Sequence, residues 1–464
     1  MPIIIPGNSA VGGGFNIDNS LRFNRGSSDY LRWSSSPSGN RQKFTWSAWF
    51  KRSSFGATQI LASASYSGGD EGYLFLSGGG VLGWQSTNGG DGNLTTAKLF
   101  RDTNAWYHVV FSVDTTQSTA TNRIKLYING EQYTWDGNTT QPNQNQNLYW
   151  NVGDTYYPYI GRRNGGDYFD GYMAEIVQVN NAQLAADSFG EFDEDSGIWK
   201  PIDVSGLTFG DTGYYLNFQD SSALGNDVSG ENHDWTSYNL AAIDQTTDTC
   251  TNNFATMNFL DNKYQNQTFT EGNLKVLSDN PSPVFSTIGM TTGKFYMEAK
   301  AISGNNDYQI GICSTQVTST SDEIGLRAND WGYKASDGKY KNNGSDTSYG
   351  STYSAGDIIG VYLDLDNNKL YFAKNGALQA SGTGISITAS GSTPLGAYFF
   401  TIGANANATK YTWEVNFGNP LFTGTDKSDP NGYGSFEYDP SVGTFDGASK
   451  SFYALNTKNL AEYG

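Results

Sequence analysis

Hydrophobic and polar positions alternate with a period of two over short runs of this chain, and the runs are broken repeatedly by glycine and asparagine. Three of them, WYHVVFSVD (106–114), RIKLYINGE (123–131) and YIGRRNGGDYFDGYMAEIVQV (159–179), contain or adjoin Asn129-Gly130 and Asp170-Gly171. Alternation of this kind predicts strands with one buried face, and Asn-Gly or Asp-Gly suits the φ > 0 positions of a tight turn. The rhythm returns downstream in GKFYMEAKAI (293–302), YQIGICS (308–314), WGYKASDGKYKNN (331–343), AGDIIGVYLDLDNNKLYFAKNG (355–376), PLGAYFF (394–400) and YTWEVNFGNP (411–420). There Val361, Leu363 and Leu365 alternate with Tyr362, Asp364 and Asp366 before Asn367-Asn368 turns the chain into Lys369–Phe372, which predicts a hairpin with opposed faces. Antiparallel β-sandwiches are the architecture this pattern implies.

Between the two sets, residues 190–275 are dense in Asn, Asp, Ser and Gly, with only brief strand candidates such as Tyr214–Phe218. A structureless connector of that length is unusual in a compact protein. It is therefore expected to be an ordered bridge packing Trp199, Phe209, Tyr215, Phe218 and Trp235 against the flanking sandwiches. At the N-terminus, Ile3-Ile4-Ile5 between two prolines and ahead of a glycine tether reads as an edge strand or as an arm adding a strand to a neighbour.

Composition agrees with the pattern. With 464 residues, 56 of them Gly and 30 Tyr, the chain is long enough for more than one core and suits many short turns between half-buried strands. No run approaches the ~20 apolar residues needed to span a bilayer, and residues 1–15 lack a basic start and a long apolar stretch. The expectation is a soluble chain with no membrane insertion and no Sec leader. Cys250 and Cys313 are expected to be free, buried thiols. The net charge is −18 and uneven: residues 190–275 carry 14 acidic against 3 basic groups. Phosphate binding needs clustered Lys and Arg, so nucleic acid is excluded as a partner.

The first three runs, together with SLRFNRGSSDYLRW (20–33) and FTWSAWFKRS (44–53), resemble the laminin-G-like, concanavalin-type jelly roll. The later block resembles the SPRY (B30.2) domain through its GKFYMEAKA strand, the IGI strand, the WGY run, and Gly360-x-x-x-Asp364 leading to Phe372-x-x-Asn375-Gly376. The expected fold is thus all-β, two concanavalin-like jelly-roll β-sandwiches joined by an ordered, turn-rich acidic bridge. Its parts are an N-terminal arm (1–15), a laminin-G-like sandwich (16–189), the bridge (190–275), a SPRY-like sandwich (276–420) and a C-terminal tail (421–464). With LNFQDSSALGNDVSGENHDWTSYNL (216–240) and ALNTKNL (454–460), this grammar resembles tail-fibre-like or capsid-fibre-like virion proteins of tailed phages. That resemblance implies a structural virion protein, a fibre, decoration or adhesion subunit that forms homo-oligomers, trimers foremost. It would contact other capsid or tail proteins and present loops to host cell-surface polysaccharide. The alternatives are an architectural capsid-cement or tail-adaptor protein and a capsule depolymerase.

Raw material for catalysis is sparse, and no enzyme is expected. His108 sits within an alternating strand and reads as a satisfied sheet residue, and His233 lies in a turn-rich stretch. Glycoside hydrolysis needs only two carboxylates about 5–9 Å apart. The nearest local sets are Glu191, Asp193 and Asp195, and Asp364 with Asp366; these read as a solvated loop and a hairpin lead-in. No cofactor is expected. Ca2+ is the metal that the laminin-G resemblance implies, and Asp70, Glu71, Asp91 and Asp167 in Gly-rich loops are its candidate ligands, without a DxDxDG spacing. Aromatic residues beside amides and carboxylates in polar loops point to shallow glycan sites. Trp84, Tyr156, Tyr157, Tyr159, Asp167 and Tyr168 form that set in the first sandwich, and Asp330, Trp331 and Tyr349 in the second. Arg162 and Arg163 are expected to pair with Asp167 or Asp170.

Overall fold

A computed structural model of the chain describes residues 14–34, 37–66, 69–87, 89–153, 156–261, 267–304, 306–405, 410–422 and 424–464; the Ile3–Ile5 run lies outside them. The described residues form two compact units that divide between Thr251 and Asn252. Both are built almost wholly of antiparallel strands, and the one α-helix among the described residues is Thr457–Tyr463.

In the first unit two eight-stranded sheets face each other. The first sheet centres on Lys43–Arg52, flanked by Tyr107–Asp114 and Gly171–Asn180. The second places Tyr156–Ile160 between Gln59–Tyr66 and Tyr30–Arg32, with Thr236–Tyr238 at its edge. Phe44, Trp46, Trp84, Phe111, Trp150 and Met173 fill the space between them. Asp170-Gly171, read as a tight turn, is where the chain crosses from the second sheet to the first. A Cβ on Gly171 would lie 2.1 Å from the Lys51 carbonyl oxygen, so only glycine fits.

The alternation predicts one buried face for these strands, yet Gly171–Asn180 is buried at every position and Tyr107–Asp114 at all but its first. The outward residues Trp49, Val110, Tyr172 and Val177 belong to a second cluster, completed by Phe189, Trp199, Phe209 and Tyr215 from the chain that follows the sandwich. Trp199 is its clasp. Its ring lies over the Asn129-Gly130 turn (φ 47° and 85°), where a Cβ on Gly130 would come within 2.2 Å of it. Its Nε1 donates to His108 Nδ1 at 3.0 Å, while His108 Nε2 is 2.8 Å from Ser47 Oγ. His108 is therefore neutral with its proton on Nε2, and burial pushes its pKa down to about 3. At the far end of this cover, Lys51 and Asp248 form an ion pair at 2.6 Å with both side chains fully buried, and Trp106 Nε1 donates to Asp248 at 3.2 Å.

The second unit repeats the plan. A nine-stranded sheet centred on Lys294–Gly304 and Ile358–Asp364 packs on a six-stranded one through Phe295, Ile310, Val361, Phe372 and Trp413. The outward face of the larger sheet carries Tyr296, Tyr362 and Tyr371, and the tail covers it with Phe436, Phe445 and Phe452. Asn375-Gly376 (φ 47° and 78°) again turns a hairpin beneath an aromatic ring, here Tyr438, 2.5 Å from where a Cβ on Gly376 would sit. The helix Thr457–Tyr463 closes the tail, its N-terminus capped by Asn456, which accepts from Asn459 N at 2.9 Å.

The run read as a bridge is divided between the units. Trp199, Phe209 and Tyr215 join the outer cluster of the first unit, and Phe218 and Trp235 its central core. Residues beyond Asn252 supply the second unit's strands Thr268–Thr270 and Lys275–Ser278. The density of Asn and Asp there serves left-handed turn positions, such as Asn232 and Asn239, within a folded layer.

Trp199→Ala removes the clasp and leaves His108 Nδ1 buried without its donor; urea unfolding should show a loss of about 3–5 kcal/mol. A second expectation concerns Glu175, which sits at a bulge between Ala174 and Val177 with φ 49°. It accepts from the Tyr215 hydroxyl at 2.5 Å, and burial raises its pKa to about 7. The folded state then holds a proton that the unfolded state has lost above the ordinary carboxylate value, so this group's contribution falls as pH rises from about 4.5 through 7. The stability of Glu175→Gln relative to the native chain should therefore grow by up to about 3 kcal/mol between pH 4.5 and 7.5.

Candidate functional site

The outer face of the second sheet in the first unit presents a set of rings and guanidinium groups. Leu31 and Ile160 point into the core with no exposure, so their neighbours Tyr30, Arg32, Tyr157 and Tyr159 face the other way. Strand pairing sets Arg32 opposite Tyr159 and Tyr30 opposite Tyr238. The rings of Tyr30 and Tyr238 stack with centroids 4.5 Å apart and planes 4° from parallel. Arg32 lies over Tyr238 at 4.9 Å and Tyr157 at 5.1 Å. Arg162, from the turn after Tyr156–Ile160, lies over Tyr30 at 4.5 Å, Tyr159 at 5.0 Å and Tyr168 at 5.3 Å. Cation–π contact holds each guanidinium flat against the rings.

Arg163 is used differently. It binds the Glu71 carboxylate and donates to Asp167 at 2.8 Å, with Tyr73 beneath it at 5.0 Å. Asp167 is thus a partner of Arg163, as the sequence suggested, whereas Arg162 has no carboxylate partner among the described residues. Tyr156 stands apart, stacked on Tyr149 at 5.7 Å and donating to Asp70 at 3.3 Å; burial and that carboxylate push its pKa up to about 12.

Other residues expected at the rims are placed elsewhere. Trp84 is fully buried against Phe111 and Trp150, its indole donating to the Asp91 carbonyl at 3.0 Å, because its alternation face points into the sandwich. Asp330 and Trp331 are buried too; Asp330 accepts from Ser314 N at 3.1 Å with its pKa raised to about 6 by burial, and Trp331 packs on Tyr398. Tyr349 is half-buried between Tyr333, Tyr340 and Phe372, and its hydroxyl donates to the Thr383 carbonyl at 3.2 Å.

The proposed calcium ligands do not converge. Glu71 and Asp167 share Arg163, while buried Asp91 accepts from Ser86 Oγ, Gln146 Nε2 and Tyr149 N, and no group of three His, Cys, Asp or Glu side chains suited to a metal occurs among the described residues. The carboxylate sets weighed for hydrolysis are likewise engaged: Asp193 with Lys200 and the Ser196 backbone, buried Asp364 with Lys450 and Asn367, Asp366 with Lys294. His233 Nδ1 binds the Gly213 carbonyl at 2.7 Å. The geometry offers stacked rings and guanidinium groups on one face. Of the residues read as glycan-binding, Tyr157, Tyr159 and Tyr168 lie on or beside this face; Tyr30, Arg32 and Tyr238, which share it, were not among them. Tyr30-Leu31-Arg32 alternation held part of the signal; Tyr238 reaches the site only through long-range pairing.

Residues 25–187 match the family described as the concanavalin A-like lectin/glucanases superfamily, of laminin G type, and residues 294–420 match the SPRY domain. The chain is similar to Ran-binding protein 9 of Xenopus tropicalis, 35% identical over 118 residues, covering 23% of this chain and 22% of that protein. It is also similar to Ran-binding protein 10 of Danio rerio, 34% identical over 86 residues, covering 18% and 14%. The chain thus spans less than a quarter of the length of these curated relatives. Among solved structures it is similar to the SPRY domain of human HERC1, 18% identical with a TM-score of 0.26, covering 32% of this chain and 92% of that one. Relatives from frog, fish and fly overturn the resemblance to tailed-phage virion proteins. With it fall the virion location, the fibre, decoration or adhesion role, the capsid-cement or tail-adaptor and depolymerase alternatives, trimeric assembly with capsid or tail proteins, and host polysaccharide as ligand. What stands is the pair of domains: the chain carries a laminin-G-like, concanavalin-like β-sandwich in its first half and a SPRY domain in its second.

Proposed function

We propose that the chain is a non-enzymatic recognition protein whose SPRY unit binds a partner protein. One observation carries the reading: a rigid apolar tip at the end of the six-stranded sheet. Leu326, 41% exposed, sits in the loop between Tyr308–Cys313 and Asp330–Lys334. Asp322 organises that loop by accepting from Thr318 N at 2.7 Å, Ser319 N at 3.1 Å and Arg327 at 2.7 Å. Two backbone bonds fasten it to the exposed hairpin ending in Ser345–Ser348, Gly344 N to Gly325 O at 3.0 Å and Asn343 N to Arg327 O at 3.2 Å. A leucine held out on an ordered loop, next to a free strand edge, is a preorganised contact for a protein surface.

Relatives named for binding Ran make Ran the first partner to test. The non-enzymatic part rests on the engagement of both histidines and of the paired carboxylates in structural contacts. Purified Ran passed over the immobilised chain should bind saturably, and Leu326→Asp should weaken binding by about tenfold or more. Absent binding, or binding indifferent to Leu326→Asp, overturns the assignment. New reducing ends released from a β-glucan would overturn the non-enzymatic reading.

A further inference from the structure

Among the described residues, the second sheet of the first unit ends in an unpaired edge with chemistry on both sides of it. There Thr236–Tyr238 pairs only with Tyr30–Arg32, and Thr236 and Ser237 are exposed. On one side lies the ordered stack Arg32, Tyr238, Tyr30, Arg162. Each guanidinium spends its Nε internally, Arg32 on Ser34 Oγ at 3.3 Å and Arg162 on the Arg163 carbonyl at 2.9 Å. Neither has a carboxylate partner among the described residues, although the chain carries a net charge of −18 and most other buried or half-buried cations are paired. On the other side of the edge is an open depression of about 370 Å³, lined by Leu224, Asn226, Trp235, Ser237 and Leu240 among others, with Asp234 its one charged residue.

These features fit one kind of occupant. An extended peptide laid along Thr236–Tyr238 continues the sheet, and its side chains alternate between the two faces. Every second side chain meets the arginine forks, whose planar donors match carboxylates, and the others enter the depression. We propose that this edge is a docking site for an extended acidic segment of a partner protein, in which Asp or Glu residues alternate with small apolar ones. The site is separate from the Leu326 surface and does not depend on it.

The test uses the full chain and a fluorescein-labelled ten-residue peptide alternating Glu with Val, compared by anisotropy with its Gln counterpart. At low salt the Glu peptide should bind at least about tenfold more tightly than the Gln peptide, and the difference should shrink as salt is raised. Arg32→Ala with Arg162→Ala should bring the two peptides to the same affinity, with the melting temperature as the control for folding. If that double variant unfolds, Ser237→Glu decides the matter from an exposed position outside the stack; it should weaken the Glu peptide about fivefold or more. Equal binding of the two peptides, or variants that change nothing, overturns the proposal. Saturable binding of chondroitin sulfate or inorganic phosphate with no peptide binding overturns the choice of a peptide.

Discussion

Each unit depends on covering the outward face of its main sheet with the chain that follows the sandwich. A two-sheet sandwich needs only its inner faces apolar, and its outer faces ordinarily meet water. Here the outer faces carry Trp49, Tyr172 and Val177 in one unit, and Tyr296, Tyr362 and Tyr371 in the other. Rings of that size each remove about 150–250 Å² from water when buried, so leaving them bare would forfeit much of the stabilisation. The solution is the same in both. A trailing segment that forms a small two-stranded sheet of its own, Gly190–Phe192 with Trp199–Pro201 in one unit and Lys427–Ser428 with Ser435–Phe436 in the other, lays its aromatic residues across the rings. In each unit one of them rests on an Asn-Gly hairpin turn, Trp199 on Gly130 and Tyr438 on Gly376. The glycines are thus required twice, by the φ > 0 of the turn and by the ring above it.

Apolar cover alone would not fix the path of such a segment, and the polar contacts supply the register. Glu298 is buried in the larger sheet and accepts from Asn416 Nδ2, the Tyr296 hydroxyl and the backbone N–H groups of Glu437 and Tyr438, so two strands and the tail meet at one carboxylate. Asp429 similarly accepts from Tyr433 N, Ala454 N and Asn459 Nδ2. Lys51 with Asp248 plays this part in the first unit, where the desolvation of two fully buried charges offsets much of their attraction. Such groups contribute less to net stability than to choosing one arrangement, because any shifted path leaves a buried charge without partners.

The strands were legible in the sequence because alternation and turn residues are local signals: hairpins formed at Asn129-Gly130 and Asn367-Asn368 as read, whereas Asp170-Gly171 carries the chain from one sheet to the other. The first unit's cover was expected in part, since Trp199, Phe209 and Tyr215 were read as packing on a sandwich, but the tail's cover of the second unit was not: Tyr362 and Asp364 stand on the face that alternation sets apart from Val361, Leu363 and Leu365, and the tail buries that face. The same limit explains the site. Tyr157, Tyr159 and Tyr168 stand in one short run and come together on one face. Trp84, in an equally polar run, turned inward, since a loop-like composition does not say which face of a strand a ring occupies. Arg162 was expected to pair with an acid and instead stacks on three tyrosines, a geometry that needs Tyr30 from more than a hundred residues upstream.

The cover also divides structure from recognition. In the first unit His108 and Glu175 lie under the covering layer and bond to two of its residues, Trp199 and Tyr215. Their shifted titration follows from burial. The second sheet has the opposite character. Half-buried Arg32, Tyr157 and Arg162 make its outer face polar, ordered by cation–π contacts over buried Tyr159 and its neighbours.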